Sequence, residues 1–152
     1  MQYWLMKSEP DAFSIADLAA VGEAPWDGVR NFQARNFIRE MRPGDLFLFY
    51  HSSCNPPGLA GIGEITSQPY PDETALDPKS PYHDPRASNE KLPWLAVKVA
   101  HRETFRHLLP LQRLRELPGL EGLSLLRKGS RLSVMPVTEE EWEIMAQQAR
   151  EE

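Results

Sequence analysis

The chain has 152 residues, a formal net charge of −5 at pH 7 and 41% hydrophobic residues. This length is typical of a single domain that buries its own core, so we expect one domain over residues 1–152. No apolar run approaches the roughly 20 residues of a membrane span, and the N-terminus lacks a basic leader, so we expect a soluble cytoplasmic protein. The negative charge argues against general affinity for nucleic acid, which depends on Lys and Arg contacts to phosphate.

Residues 2–7 (QYWLMK) open the chain with alternating aromatic and aliphatic side chains, a pattern that predicts a strand. Ser14, followed three residues later by Asp17, matches a capping box and predicts a short helix over residues 14–21. Asn31 is expected to cap a second helix that continues to about residue 41. The N-terminal part of the chain is therefore predicted to mix strands with short helices.

The rest of the chain contains further β-rich segments separated by turns. Four strands are predicted over residues 45–51, 59–66, 94–105 and 131–137. Glycines 61 and 63 leave room for a bulge or a close backbone approach. Residues 68–92 are rich in Pro, Asp and Ser and predict a long surface loop, which is usually functional or disordered. A short helix is expected over residues 111–117, and Thr138 is expected to cap a C-terminal helix anchored by Trp142. Together these elements favour a small barrel or a strongly bent mixed sheet with helices at its ends.

Cys54 is the only cysteine, which excludes an internal disulfide and a multi-thiolate metal site. His51 lies three residues before it, and Cys-His pairs can form a nucleophile, but no third orienting group is indicated. The four histidines share no compact metal-ligand spacing, and no glycine-rich phosphate loop opens a helix. The residues therefore indicate no catalytic group, metal or cofactor.

Three polar segments, KSEP (7–10), YHSS (50–53) and WDGVRN (26–31), interrupt this apolar pattern. The first two follow predicted strands, where polar groups line the rim of a sheet or barrel at which ligands usually enter. The third sets an indole, a carboxamide and a guanidinium around a glycine turn. Such side chains are unfavourable in a hydrophobic core, because each buried polar group needs a hydrogen-bond partner.

The blocks YWLMKSEPDAFSIADL, WDGVRNFQARNFIREMRPGDLFLFYHSS, PPGLAGIGEI, PYPD, YHDP and RLSVMPVT, in this order, resemble the EVE domain, a group within the PUA-like superfamily. The resemblance spans about residues 2–145. It implies an α+β fold, a PUA-like small mixed β-barrel flanked by short helices. It also implies a non-catalytic module that takes a modified nucleobase of DNA or RNA into a pocket beside the barrel.

The resemblance assigns roles to several side chains. Trp26 would stack on the base, a contact worth roughly 1 to 3 kcal/mol. Asn31 would read the base edge, and Arg30 or Arg35 would meet phosphate or orient the loop. The candidate site consists of Lys7, Ser8, Trp26, Val29, Arg30, Asn31, Tyr50, His51, Ser52, Tyr82 and Arg131. The residues alone equally allow other roles, in which Trp26 is a core aromatic, Asn31 only caps a helix and Arg30 is a surface ion-pair partner.

Two other functions remain open at this point. The same pocket would suit a small hydrolase or transferase that acts on a nucleotide-like metabolite, with a general base beside Cys54 or Ser52. Alternatively, the acidic C-terminal helix over residues 138–152 would serve a protein-interaction adaptor. We expect a monomer or a weak dimer.

Overall fold

A computed structural model describes residues 1–151. The strands are β1 (Tyr3–Ser8), β2 (Glu23–Trp26), β3 (Leu46–His51), β4 (Gly58–Ile65), β5 (Tyr70–Pro71), β6 (Leu95–Pro110) and β7 (Val134–Val137). The helices are α1 (Ile15–Val21), α2 (Phe32–Glu40), α3 (Leu111–Glu116) and α4 (Glu139–Glu151), with 3-10 turns at Glu73–Leu76 and Ser124–Leu126. This confirms the predicted mixture of strands and short helices.

The strands form one seven-stranded sheet in the order β2-β6-β4-β3-β1-β7, with β5 paired to β6. Only the β1–β3 pair is parallel, and the other pairs are antiparallel. Within residues 1–151, β2 and β7 are the two ends of this order and do not pair with each other. The α+β class is confirmed, whereas strand pairing leaves the sheet open and does not show the predicted barrel.

Both faces of the sheet are buried. Successive side chains of a strand point to opposite faces, so one strand contributes to the core on each side. In β1, Trp4 and Met6 belong to one apolar cluster and Leu5 belongs to the other. Helices α1 and α2 cover the first face, and α3 and α4 cover the second. This double cover explains why β1 and β3 are almost continuously apolar.

The predicted helix caps are confirmed. The Ser14 hydroxyl accepts the N–H of Asp17 at 3.1 Å, and the Asp17 carboxylate accepts the N–H of Ser14 at 2.9 Å. The Asn31 carboxamide oxygen accepts the N–H of Ala34 at 2.9 Å at the start of α2. These bonds satisfy backbone donors that the first helical turn leaves unpaired.

Two parts of the sheet differ from the prediction. Strand β2 was not predicted, because the segment EAPW is short and contains a proline, but it pairs with residues 97–100 near the start of β6. Strand β6 continues to Pro110 instead of ending at residue 105, since its last residues pair with Gly58 and Leu59. The predicted bulge is present, with register shifts in β4 at residues 59–61 and 62–63.

Candidate functional site

The first wall of the site consists of the C-terminal ends of β1 and β3. Because these strands are parallel, Lys7 lies opposite Tyr50 and Ser8 opposite His51. The N–H of Ser52 donates to the carbonyl of Ser8 at 3.0 Å, so the pairing continues past the last strand residue. The structure thus brings the KSEP and YHSS segments side by side.

A cavity of about 700 Å³ opens at this edge of the sheet. Eight of the eleven candidate residues line it, namely Lys7, Ser8, Trp26, Val29, Arg30, Ser52, Tyr82 and Arg131. Its volume falls within the roughly 300 to 1,000 Å³ of small-molecule sites. The three polar segments noted in the sequence therefore meet around one concave space.

The second wall is formed by residues 27–30 and the loop 72–82, and Asp72 holds these together. Its side chain is 1% exposed. One carboxylate oxygen accepts the N–H of Gly28 at 2.8 Å and Nη1 of Arg30 at 2.9 Å. The other accepts the N–H and the hydroxyl of Thr74 at 3.0 and 2.5 Å. A single buried carboxylate thus ties two distant segments together.

Burial alone would raise the pKa of Asp72, but the hydrogen bonds from Thr74, Gly28 and Arg30 outweigh it and lower that pKa. Asp72 is therefore ionised in the folded protein near neutral pH. Arg30 also donates from Nε and Nη2 to the carbonyl of Tyr82, at 3.0 and 2.8 Å. With these donors engaged, Arg30 orients the loop.

Gly28 allows the loop to pass close under an aromatic ring. Its φ is +79°, a left-handed conformation that side chains disfavour, and a Cβ there would lie 2.6 Å from the Tyr82 ring. The Tyr82 ring is 36% exposed. The turn residue thus seats Tyr82 at the mouth of the cavity.

Trp26 lies at the base of the cavity and is only 6% exposed. Its indole makes edge contacts with Phe47 and Phe49, at ring centroid distances of 5.5 and 5.2 Å, and with Phe13 at 6.5 Å. It is therefore anchored in the core and reaches the cavity from there. The two readings of this residue, core aromatic and pocket residue, are compatible.

Three candidate residues lie elsewhere. The Asn31 carboxamide caps α2, and Asn31 borders a separate, smaller cavity. Tyr50 is 3% exposed and faces the second core, where burial raises its pKa to about 12. His51 accepts the N–H of Ile15 through Nε2 at 3.1 Å, and burial lowers its pKa. Strand alternation already places Tyr50 on the face of Leu48, so this signal was available in the sequence.

The cavity also contains residues that were not proposed from the sequence, above all Asp27, together with Glu9, Phe13 and Ser133. Burial, and then the charge of Asp72, raises the pKa of Asp27. Burial lowers the pKa of Lys7 on the opposite wall. Asp27 lies inside WDGVRN, where the sequence analysis gave it no role, and its approach to Asp72 is a long-range contact.

Cys54 and His51, which the sequence offered as a possible nucleophile pair, both have other partners. Cys54 donates its thiol to the carbonyl of Pro56 at 3.5 Å, while His51 is engaged by Ile15. Within residues 1–151, no three His, Cys, Asp or Glu side chains are grouped so that they would hold a metal ion. The same residues include no helix that has both the length and the apolar character to cross a membrane.

Comparison with known proteins gives one consistent result. The family model described as EVE domain matches residues 2–148. Mouse thymocyte nuclear protein 1 is 38% identical over 162 residues, covering 94% of this chain and 71% of the relative. A crystal structure of a Pseudomonas putida protein is 60% identical, with a TM-score of 0.95 and coverage of 97% of this chain and 99% of that one.

A further solved structure contains a ligand. The crystal structure of the human THYN1 protein, in complex with 5-methylcytosine containing DNA, is 35% identical to this chain. Its TM-score is 0.92, and the match covers 100% of this chain and 99% of that one.

The names of the curated relatives correct one expectation. The sequence led us to expect a cytoplasmic protein, whereas the mouse and human relatives are both named thymocyte nuclear protein 1. The cytoplasmic assignment is therefore wrong. It rested on the lack of a membrane span and of a leader, and neither feature distinguishes the cytoplasm from the nucleus.

Proposed function

The chain belongs to the EVE domain family, and from this we propose that it binds nucleic acid and takes a modified base into the cavity between β1, β3 and residues 26–30. The observation that carries the proposal is the likeness, over the whole chain, to a protein crystallised with 5-methylcytosine containing DNA. In this proposal the base leaves its stack, since its reading edge is otherwise occupied by its pairing partner.

The cavity has the chemistry that such a ligand requires. Trp26 and Phe13 supply aromatic surface, and Tyr82 supplies an exposed ring at the mouth. Stacking on a ring suits any base, whereas the polar groups of the base edge need donors and acceptors at defined positions. Ser8, Ser52 and the neighbouring main chain provide these on the strand side.

We assign the charged residues different roles. Asp27 is a carboxylate acceptor for the exocyclic amino group of a cytosine or adenine. Lys7 and Arg131 lie on the cavity wall, where they would meet phosphate or sugar. Arg30 positions the loop through Asp72 and Tyr82 rather than contacting the ligand.

Asn31, Tyr50 and His51 are left out of the proposed ligand contacts, because their side chains have other partners or face the core. The Nε2 atom of His51 accepts the N–H of Ile15, and the Cys54 thiol donates to the carbonyl of Pro56, which supports binding rather than catalysis by this pair.

The fold itself supports a finer description. Trp26 of β2 and Val134 of β7 lie at opposite ends of the strand order, yet they share one buried cluster with Ile38 of α2. We therefore propose that the sheet curls into a PUA-like barrel in which α2 fills the gap between its ends. The family match over residues 2–148 supports treating residues 1–152 as one domain.

The test is competitive binding with DNA and RNA oligonucleotides that carry 5-methylcytosine, 5-hydroxymethylcytosine or N6-methyladenine, each against its unmodified counterpart. Measurements at low and physiological salt are needed, because phosphate contacts make affinity salt-dependent. We expect a clear preference for one modified species in the wild type.

The variant Trp26→Phe should reduce that preference, since a smaller ring leaves part of the base without contact. Trp142→Phe is the matched control, because Trp142 is similarly buried at 8% exposure but lies in the other core cluster. Equal effects of both substitutions, or uniform binding without regard to modification, would contradict the proposal.

A further inference from the structure

A second cavity, of about 600 Å³, borders the first and shares Arg30 with it. It lies between the start of α2 and residues 84–94, and Phe32, Arg86, Lys91 and Trp94 contribute to its lining. None of these four residues takes part in the site described above. Two concave spaces are therefore separated by a single guanidinium.

The floor of this second cavity is an aromatic pair. Phe32 is 58% exposed, and its ring stacks on Trp94 at a centroid distance of 4.7 Å and an interplanar angle of 26°. Trp94 is fixed from below, because its indole N–H donates to Asp84 at 2.8 Å. Arg35 donates to the carbonyl of Pro93 at 2.8 Å and so ties α2 to the same segment. The Phe32 ring is thus held by Trp94, and the guanidinium of Arg35 also lies over it, 5.1 Å from the ring centroid.

The charge of the second cavity is opposite in sign to that of the whole chain. Arg30, Arg86 and Lys91 line it against one acid, Asp84, although the chain carries a net charge of −5. The hydrogen bonds from Trp94 and from the N–H of Arg86 lower the pKa of Asp84. The Asp84 carboxylate therefore already has hydrogen-bond donors and needs no cationic group from a ligand to balance its charge.

A third, smaller cavity also borders the first and shares Arg131 with it. Its lining contains Arg127 and Lys128 and no acidic residue. Cationic surface therefore borders the proposed base site at Arg30 and at Arg131, as the path of a polyanionic strand would require. The cavity that shares Asp27 with the base site is instead lined by acidic residues, Asp72 and Glu73.

We infer that the second cavity binds the nucleotide next to the modified one in a single-stranded segment, with its base packed against the exposed part of the Phe32 ring beside Arg35 and its phosphate near Arg86 and Lys91. This inference rests on the proposed function and names its substrate class, an unpaired strand rather than a free nucleoside. An unpaired strand fits because a neighbouring base inside a duplex is already stacked, whereas a free base gains an aromatic partner. An acidic peptide would satisfy the cations but would leave the exposed ring unused.

The experiment compares Phe32→Ala with Phe32→Tyr on short single-stranded DNA that carries one 5-methylcytosine. Phe32→Ala should weaken binding by roughly fivefold to a hundredfold, the range for loss of one stacked base, and Phe32→Tyr should restore it. Because Phe32 is exposed, neither change should disturb folding. Arg86→Gln should lower the salt dependence of binding, as expected for loss of one phosphate contact.

A second set of oligonucleotides carries an abasic site on the 5′ or the 3′ side of the modified base. One of these should bind as weakly to the wild type as the intact strand binds to Phe32→Ala. With that oligonucleotide the effect of Phe32→Ala should disappear, because the stacking partner is already gone.

The outcomes separate the two claims. If modification is preferred but Phe32→Ala and the abasic strands have no effect, the second-cavity inference is wrong and the base-binding proposal stands. If modification has no effect while Phe32→Ala still weakens single-strand binding, the second cavity is supported and the base-binding proposal fails. Capture of a poly-glutamate peptide, lost in Arg86→Gln but unchanged in Phe32→Ala, would overturn the inference in favour of an acidic protein partner.

Discussion

The two walls of the main cavity are built in different ways. The β1–β3 wall rests on main-chain pairing over six residue pairs, and each strand is buried on both faces. The loop wall rests on one carboxylate, that of Asp72, which joins Gly28, Arg30 and Thr74. We therefore expect that damage to the loop wall can abolish ligand binding while the sheet remains folded.

The difference follows from where the hydrogen bonds are made. Main-chain bonds in a ladder survive most side-chain changes, since each residue supplies the same N–H and C=O groups. Side-chain bonds to a buried carboxylate depend on that residue alone. The loop wall should therefore respond to single substitutions far more strongly than the strand wall.

Replacement of the Asp72 carboxylate is expected to have the largest effect. Asp72→Ala leaves Arg30 without its partner and removes four hydrogen bonds, so the free energy of unfolding should fall by about 3 kcal/mol, the lower end for breaking a buried ion pair. Urea denaturation measures this loss. Asp77→Ala is the control, because Asp77 is exposed and its carboxylate accepts the N–H of Lys79 at 2.9 Å. Similar losses for both variants would contradict the role given to Asp72.

A methyl group added at Gly28 should damage binding more than stability. Gly28→Ala meets both a left-handed φ and the Tyr82 ring, and Tyr82 can swing outward because it is partly exposed. We expect a loss of about 1 to 2 kcal/mol in the free energy of unfolding and a larger relative loss of oligonucleotide affinity.

Gly22→Ala is a close control for this change. Gly22 has a φ of +83° with no atom within 4 Å of the added Cβ, so it tests the backbone strain without the clash. If Gly22→Ala reduces affinity as much as Gly28→Ala does, displacement of Tyr82 is not the cause.

As the pH falls, the hydrogen bonds to Asp72 in the loop wall should be lost before the main-chain pairing of the strand wall. The pKa of Asp72 is lowered in the folded protein, so its contribution to stability is present above the unfolded value of about 3.9 and is lost as the pH falls through the folded value. Urea denaturation of wild type and Asp72→Asn over this acid range should show their difference in unfolding free energy shrinking as the pH falls. A difference that stays constant would contradict the linkage.

A change in the strand wall should have the smallest effect. The Ser8 hydroxyl donates to the carbonyl of Phe13 at 2.7 Å, and Ser8→Ala should cost about 1 kcal/mol or less. Amide chemical shifts should change only near Ser8 and Phe13, whereas Asp72→Ala should shift residues 27–30 and 72–82. If Ser8→Ala changed the amide chemical shifts of as many residues as Asp72→Ala does, the proposed difference between the two walls would be contradicted.

Most of the fold was predictable because its signals are local. The caps at Ser14 and Asn31 and the apolar run of β3 each lie within a few residues of the element they define. Strand β2 was missed because its pairing with β6 is a long-range contact that overrides the low strand propensity of EAPW.

The two walls of the site were not equally predictable from the sequence. The strand wall follows from polar residues at the ends of two apolar strands, and the structure brings those ends together. The loop wall depends on Asp72, which contacts Gly28 across 44 positions of sequence, and no local pattern indicates such a contact. Asn31 had two possible roles, and its hydrogen bond to Ala34 shows that it acts as a cap.

The placement of α2 and α4 on opposite faces of the sheet also gives the molecule an uneven charge. Helix α4 begins with three consecutive glutamates, whereas α2 carries Arg35 and Arg39. We expect a polyanion to be repelled by the start of α4 and attracted by α2, so that the protein turns its α2 face toward the polyanion during encounter. Association should then depend on orientation even though the net charges of protein and nucleic acid are both negative, and added salt should slow it.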